Sequence, residues 1–184
     1  MATRINPTLS IPSVKPYVPP DVTAAERSSA IDFVNRNNFI MEQFNIDELL
    51  LQGTEDIILR HFHGTINGHN EMKKFFSTTY PYIIPGVSRH ATNHIVDRDE
   101  ETGGVIVRYH QQCIRYAWPN AIEAQLKGQD NSYIEAIGDL PQTWIYNVMY
   151  DRLVMTEVGW KLRERSLGPA VVNSRMDPKN EPGL

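Results

Sequence analysis

SRHATNHIVDRDEETGGVIVRYHQQCIRYAW, residues 88–118, is the stretch whose reading decides the fold. SRHATNHIVD reads as a strand, RDEETGG as a solvated acidic turn, and VIVRYHQQCIRYAW as a long second strand, so the segment predicts an antiparallel pair. Side chains on a strand alternate. One face of the second strand therefore carries Ile106, Arg108, His110, Gln112, Ile114 and Tyr116, and the other Val105, Val107, Tyr109, Gln111, Cys113 and Arg115. Neither face is cleanly apolar. A central strand of this kind predicts one face lining a polar cavity and the other meeting solvent or a partner subunit.

The strand reading also limits what the histidines can do. On a helix, His90 and His94 would meet at one metal ion. On a strand they share a face with Cα atoms roughly 13 Å apart, which is too far for one ion. His61 and His63, in RHFH, stand about 6.6 Å apart by the same rise. That HxH spacing raises the double-stranded β-helix metalloenzymes. Their carboxylate would have to be Glu71, eight residues past His63 and across Gly64 and Gly68. No metal site is expected, and His63 is read as a strand-end surface residue.

Upstream, residues 1–20 hold five prolines and read as an extended arm. Residues 21–44 predict a helix, with Ile31, Val34, Met41 and Phe44 on one stripe and Asp21 or Thr23 as its cap. Asn38 and Glu42 fall near that stripe and need partners or a pocket, because an unpaired buried polar group is costly. NIDELLLQG predicts a short second helix, EDIILRHFH a strand, and NGHNEMKKFFSTTY a turn followed by a helix. Downstream, a short helix is expected around 120–126, followed by an irregular loop. TWIYNVMYDRLVMTE and WKLRERSL then form a last hairpin, and residues 168–184 a loose or draped tail. The expected organisation is an arm (1–20), one α+β domain (21–167) with helices on one side of a curved antiparallel sheet, and a tail (168–184).

The 184 residues carry a net charge of −4 from scattered side chains, with no basic stripe to follow a nucleic acid. Cys113 is the single cysteine and is read as a packed thiol without a base beside it. There is no GxSxG elbow, no glycine-rich phosphate loop, no signal peptide and no apolar run long enough for a membrane helix. A reducing, cytosol-like compartment is expected. What remains is histidine, glutamate, tyrosine, arginine and asparagine around an apolar cavity, a set suited to proton transfer near neutral pH.

GVSRHATNHIVDRDEETGGVIVRYH (86–110), YDRLVMTEVGWKLRERSL (150–167) and INGHNEMKKFF (66–76) together resemble SnoaL-like proteins of the nuclear-transport-factor-2-like superfamily, over roughly residues 27–167. The resemblance implies a conical α+β barrel, a strongly bent antiparallel sheet wrapped around the N-terminal helix with a pocket in its mouth. It also implies catalysis without metal or organic cofactor. Set against the scytalone dehydratases of that superfamily, His90 matches the first catalytic histidine and Tyr116 stands where the second would be. The helix-borne acid falls near Glu42, the first-strand tyrosine near Arg60 or His61, and the penultimate-strand asparagine near Asn147.

The resemblance therefore implies a cofactor-independent isomerase or cyclase working by general acid–base chemistry on a polycyclic polyketide or terpenoid intermediate. His90 is the expected base, Glu42 its orienting or paired acid, and His110 and Tyr116 the polarising groups. Asn38, Arg60, His61 and Asn147 would orient substrate against an apolar wall of Phe39, Phe62 and Trp144. A dehydratase using the same groups is the alternative. A noncatalytic binding or assembly domain is another, and it is favoured if Glu42, His90 and His110 point to different surfaces. A homodimer formed through the sheet is expected.

Overall fold

The computed structural model describes residues 14, 16, 21–62, 64–119 and 138–178. Most of the N-terminal arm, His63 and the helix expected near 120–126 lie outside them. Helix α1 (Ala24–Gln43) starts at a capping box. The Glu26 backbone N–H donates to Thr23 Oγ1 at 3.2 Å, and the Thr23 N–H donates to Glu26 Oε2 at 2.8 Å. It stops at Phe44, whose left-handed backbone lets its N–H close on Met41. Ala30, Phe33, Val34, Asn37, Asn38 and Met41 form its buried stripe, so two asparagines enter the interior with the apolar side chains.

Helix α2 (Ile46–Gln52), capped by the Asn45 side chain, leads into β1 (Gly53–His61). The region read as a turn contains a short strand, β2 (Gly64–Asn67), antiparallel to β1, before α3 (Gly68–Thr78). Strands β3 (Val87–Arg98), β4 (Val105–Arg115), β5 (Gln142–Thr156) and β6 (Gly159–Val172) follow as an antiparallel meander. The sheet order is β2-β1-β6-β5-β4-β3, and β1 joins β6 in parallel. Helix α1 packs on β3 and β4, and α3 packs on β1 and β2. All three helices cover one face of a curved, unclosed sheet, in agreement with the α+β expectation.

The sheet has an inner face against the helices and an outer face. On β4 the inner residues are Val105, Val107, Tyr109, Gln111, Cys113 and Arg115, every one buried. Opposite them on β5 are Leu153, Asp151, Met149 and Asn147, paired with Val105, Val107, Tyr109 and Gln111. The apolar members meet Phe33, Val34, Met72 and Phe76 from the helices in one core. The alternation on β4 is the one the sequence gives, but the pattern breaks on β3. The register runs Arg89–Cys113, His90–Gln112, Ala91–Gln111 and Thr92–His110, then resumes at Ile95–Arg108. Between them a bulge inserts one extra residue, so that Asn93 and His94 stand against Tyr109 alone, with Asn93 at φ 57°, a left-handed conformation that asparagine tolerates.

The expected boundary at residue 167 falls inside β6, which continues to Val172. A single 3₁₀ turn at Ser174–Met176 follows, with Met176 buried. The fully buried Arg115 holds this segment. Its Nε donates to the Met176 carbonyl at 2.8 Å and Nη2 to the Ile83 carbonyl at 3.1 Å, while its guanidinium lies 4.3 Å over the Trp144 ring.

Candidate active site

The bulge decides which histidine faces inward. Before it, His90 pairs with Gln112 on the outer face, exposed, with Nε2 3.0 Å from Ser88 Oγ. After it, His94 stacks on the inner-face residue Tyr109, with ring centroids 5.5 Å apart. The two histidines expected to share a face therefore stand on opposite faces. His110 is on the outer face as well, stacked on Tyr146 at 5.6 Å and 3.3 Å from the Asn93 amide. Glu42 faces inward, where its carboxylate accepts the Arg89 backbone N–H. His90, His110 and Glu42 do not converge: by the criterion given above, an enzyme built on that trio fails, the trio is withdrawn as a catalytic set, and the noncatalytic binding domain gains, so an enzyme reading has to rest on other residues.

The remaining expected residues divide. Asn38 is buried on the inner side, where its Oδ1 accepts from Gln111 Nε2 at 3.4 Å. Asn147 is also buried and inner, beside Gln111 in register. His61 enters the interior against Phe62, Phe75 and Tyr80. Phe39 is 66% exposed, so it is no wall. Arg60 pairs with Ser166 on the outer face and bonds Glu164 at 2.7 Å. Trp144 is buried, but it is tied to the C-terminal segment through a 2.7 Å bond from its indole N–H to Asp177. Tyr116 follows the end of β4 and is 36% exposed; burial and the nearby Glu42 carboxylate raise its phenol above the ordinary value.

The interior also holds polar residues that sequence reasoning passed over. Asp151 and Arg165, adjacent across β5 and β6, make a bidentate pair at 2.8 and 2.6 Å. Arg165 Nη1 donates to Asn37 Oδ1 at 2.7 Å, and the Tyr109 hydroxyl donates to Asp151 Oδ2 at 3.0 Å. Four side chains from α1, β4, β5 and β6 thus form one hydrogen-bonded network, with His94 stacked on its tyrosine. Burial pushes the Tyr109 phenol well up, against Arg165, so it remains a proton donor. Burial also raises the Tyr80 phenol, against the pull of Arg89 and Arg165. His94 is held below the ordinary imidazole value by burial, with Asp151 acting the other way, so at neutral pH it is uncharged.

Around this satisfied network lie three buried atoms that no other group satisfies: His94 Nε2, Asn38 Nδ2 and Arg89 Nη1. They sit against three consecutive inner positions of β4. His94 is on Tyr109, Asn38 is on Gln111, and Arg89 is opposite Cys113. The three positions span roughly 13 Å along β4. A neutral imidazole can accept a proton, and amide and guanidinium N–H groups on the same face can meet negative charge on a bound oxygen. One faint signal for the network was present in the sequence. The stretch YDRLVMTEVGWKLRERSL (150–167), which carries part of the family resemblance, contains both Asp151 and Arg165. Nothing marked His94, because its face depends on the bulge.

No family model matches the chain, and no curated protein sequence matches it. Solved structures do. A candidate scytalone dehydratase from Novosphingobium aromaticivorans superposes with a TM-score of 0.55 at 17% identity, over 81% of this chain and 88% of that one. ActVI-ORFA from Streptomyces coelicolor superposes at 0.58 and 12% identity, over 77% and 95%. An NTF2-like protein with a cystatin-like fold, from Novosphingobium aromaticivorans, superposes at 0.57 and 12% identity, over 78% and 81%. At these identities the likeness is one of architecture. The helices on one face of the bent six-stranded sheet give this chain the cystatin-like, nuclear-transport-factor-2-like fold.

Proposed function

We propose that this protein is an acid–base enzyme of the isomerase or cyclase type, acting without an organic cofactor on a polycyclic, enolisable substrate, with His94 as the base. One observation carries the reading: a half-buried, uncharged His94 whose Nε2 is buried and unsatisfied lies on the same inner face as the unsatisfied donors Asn38 Nδ2 and Arg89 Nη1. The structural likeness to a candidate scytalone dehydratase and to ActVI-ORFA supports the class.

In the proposed step, His94 Nε2 takes the proton α to a carbonyl. The C–H electron pair moves onto the carbonyl oxygen, and the enolate accepts hydrogen bonds from Asn38 and Arg89. Returning the proton at another carbon completes an isomerisation. Attack of the enolate carbon on a second carbonyl completes a cyclisation, and expulsion of a β-hydroxyl as water gives the dehydratase outcome. The Tyr109–Asp151–Arg165–Asn37 network fixes the surface on which His94 stacks and does not itself exchange protons. A homodimer through the outer face remains part of this proposal, because Tyr146 on that face stands exposed. A monomer in sedimentation equilibrium would remove it.

The test is solvent deuterium exchange. 2-Tetralone is incubated with the protein in D2O, and exchange α to its carbonyl is followed by NMR. Wild type and His90→Ala should exchange it well above buffer. His94→Gln should lose roughly 10²- to 10⁴-fold of that acceleration. Full exchange by His94→Gln, or loss in His90→Ala, would overturn the assignment of the base.

A further inference from the structure

We infer that the substrate of this site carries a carboxylate on an aromatic or polycyclic body, and that Arg89 is the residue that selects it. The inference rests on the proposed active site and names its substrate class. The hydrogen-bonding account of the interior points this way. Apart from His94 Nε2, which is assigned to the proton, these acceptors on the inner face are used: Asp151 by Arg165 and Tyr109, Asn37 Oδ1 by Arg165, Asn38 Oδ1 by Gln111, and Glu42 by the Arg89 backbone. The unsatisfied atoms there include two that can only donate, Asn38 Nδ2 and Arg89 Nη1. A ligand that completes the site must bring acceptors, and next to a guanidinium the best acceptor is an anion.

The two interior guanidiniums differ in a way that separates structure from recognition. Arg165 is fully engaged, bidentate on Asp151 and bonded to Asn37. Arg89 forms no ion pair with any described carboxylate, and Glu42 takes its backbone N–H instead. Its charge nevertheless acts on Tyr80, Tyr109 and Cys113, which places its guanidinium within the interior. A half-buried guanidinium with one nitrogen buried and unpaired is costly unless a ligand supplies an acceptor. Aromatic side chains are also concentrated in this interior, and Tyr80 among them is within reach of the Arg89 charge. His61, Phe75, Phe76 and Tyr80 form an aromatic cluster with ring centroids 4.8–6.0 Å apart.

The experiment is calorimetric binding of two probes matched in shape, 1-naphthoate and 1-naphthamide, to wild type, Arg89→Met and His94→Gln. Wild type should bind naphthoate tighter than naphthamide by roughly ten- to a hundred-fold, the range expected for a charge-assisted hydrogen bond. Arg89→Met should lose that preference, with naphthoate weakened far more than naphthamide. His94→Gln should keep the preference, because His94 is assigned to the proton and not to the anion. Equal binding of the two probes by wild type, naphthoate preference surviving in Arg89→Met, or no binding of either probe would each overturn the inference. Loss of exchange in His94→Gln alongside equal probe binding would overturn the carboxylate and leave the catalytic reading standing. Because Arg89→Met can disturb β3, its far-UV spectrum and unfolding midpoint are measured alongside. If it is unfolded, Arg89→Lys replaces it, and that variant should keep the charge preference but bind naphthoate more weakly than wild type.

Discussion

Removing the charge of Asp151 is the sharpest test of how the interior is built. Asp151 is fully buried and Arg165 is 6% exposed, so neither charge has water to fall back on. In Asp151→Asn the volume stays, but the carboxylate that receives two guanidinium bonds and the Tyr109 hydroxyl is replaced by one acceptor and an amide. The amide presents donors where donors already point. Breaking a buried pair from one side costs about 3–5 kcal/mol, and we expect that loss for Asp151→Asn and a similar one for Arg165→Met. The double variant Asp151→Leu/Arg165→Met removes both charges and leaves only Asn37 Oδ1 and the Tyr109 hydroxyl without partners. At about 1–2 kcal/mol for each neutral group it costs about 2–4 kcal/mol, well short of the sum of the single losses. Urea unfolding followed by circular dichroism, with m-values compared, reads all three. If Asp151→Asn lies within about 1 kcal/mol of wild type, or if the single losses add in the double variant, the pair is not the coupled, desolvated unit described above.

Other consequences can be checked more simply. Because burial lowers the His94 pKa, the folded protein binds fewer protons there than the unfolded chain. Stability from this group is complete above the ordinary value of 6.5 and is lost as pH falls from 6.5 through the lower folded value, and His94→Gln should flatten that slope. The acid limb of deuterium exchange should likewise lie below the ordinary imidazole range. Glu26, held near a pKa of about 2 by the Thr23 backbone and by Arg98, contributes stability above about 4.5 that is lost as pH falls toward 2; Glu26→Gln should remove that dependence in acid titration of the circular dichroism signal. Cys113 is buried and its thiol is raised by burial, so iodoacetamide should label it only as fast as the protein unfolds; rapid labelling of native protein would contradict its placement. A chain ended after Leu167 loses the last residues of β6, the buried Met176 and the Arg115 acceptor. Thermal unfolding should show a loss of at least about 3 kcal/mol, counting one buried side chain and one charged hydrogen bond.

The sequence by itself determined the parts that depend on local periodicity. The capped helix over 21–44, the strand–turn–strand over 88–118, the final hairpin and the division of β4 into two faces all follow from period 3.6 or period 2, but which face of β4 is inner does not, and His110 stands on the outer one. Their order supports the α+β fold. It also marked Asn38 and Glu42 as polar residues on an apolar stripe, and both face inward. Tertiary structure decided the rest. The parallel union of β1 with β6 joins residues more than a hundred positions apart, and no local pattern encodes it. The Asp151–Arg165 pair and its links to Asn37 and Tyr109 require four elements to be assembled before any of these groups has a partner. The choice between His90 and His94 turned on a single bulge at Asn93. Strand alternation is a parity rule, and one inserted residue reverses it, so the histidine that the sequence favoured stands outside and His94 stands within.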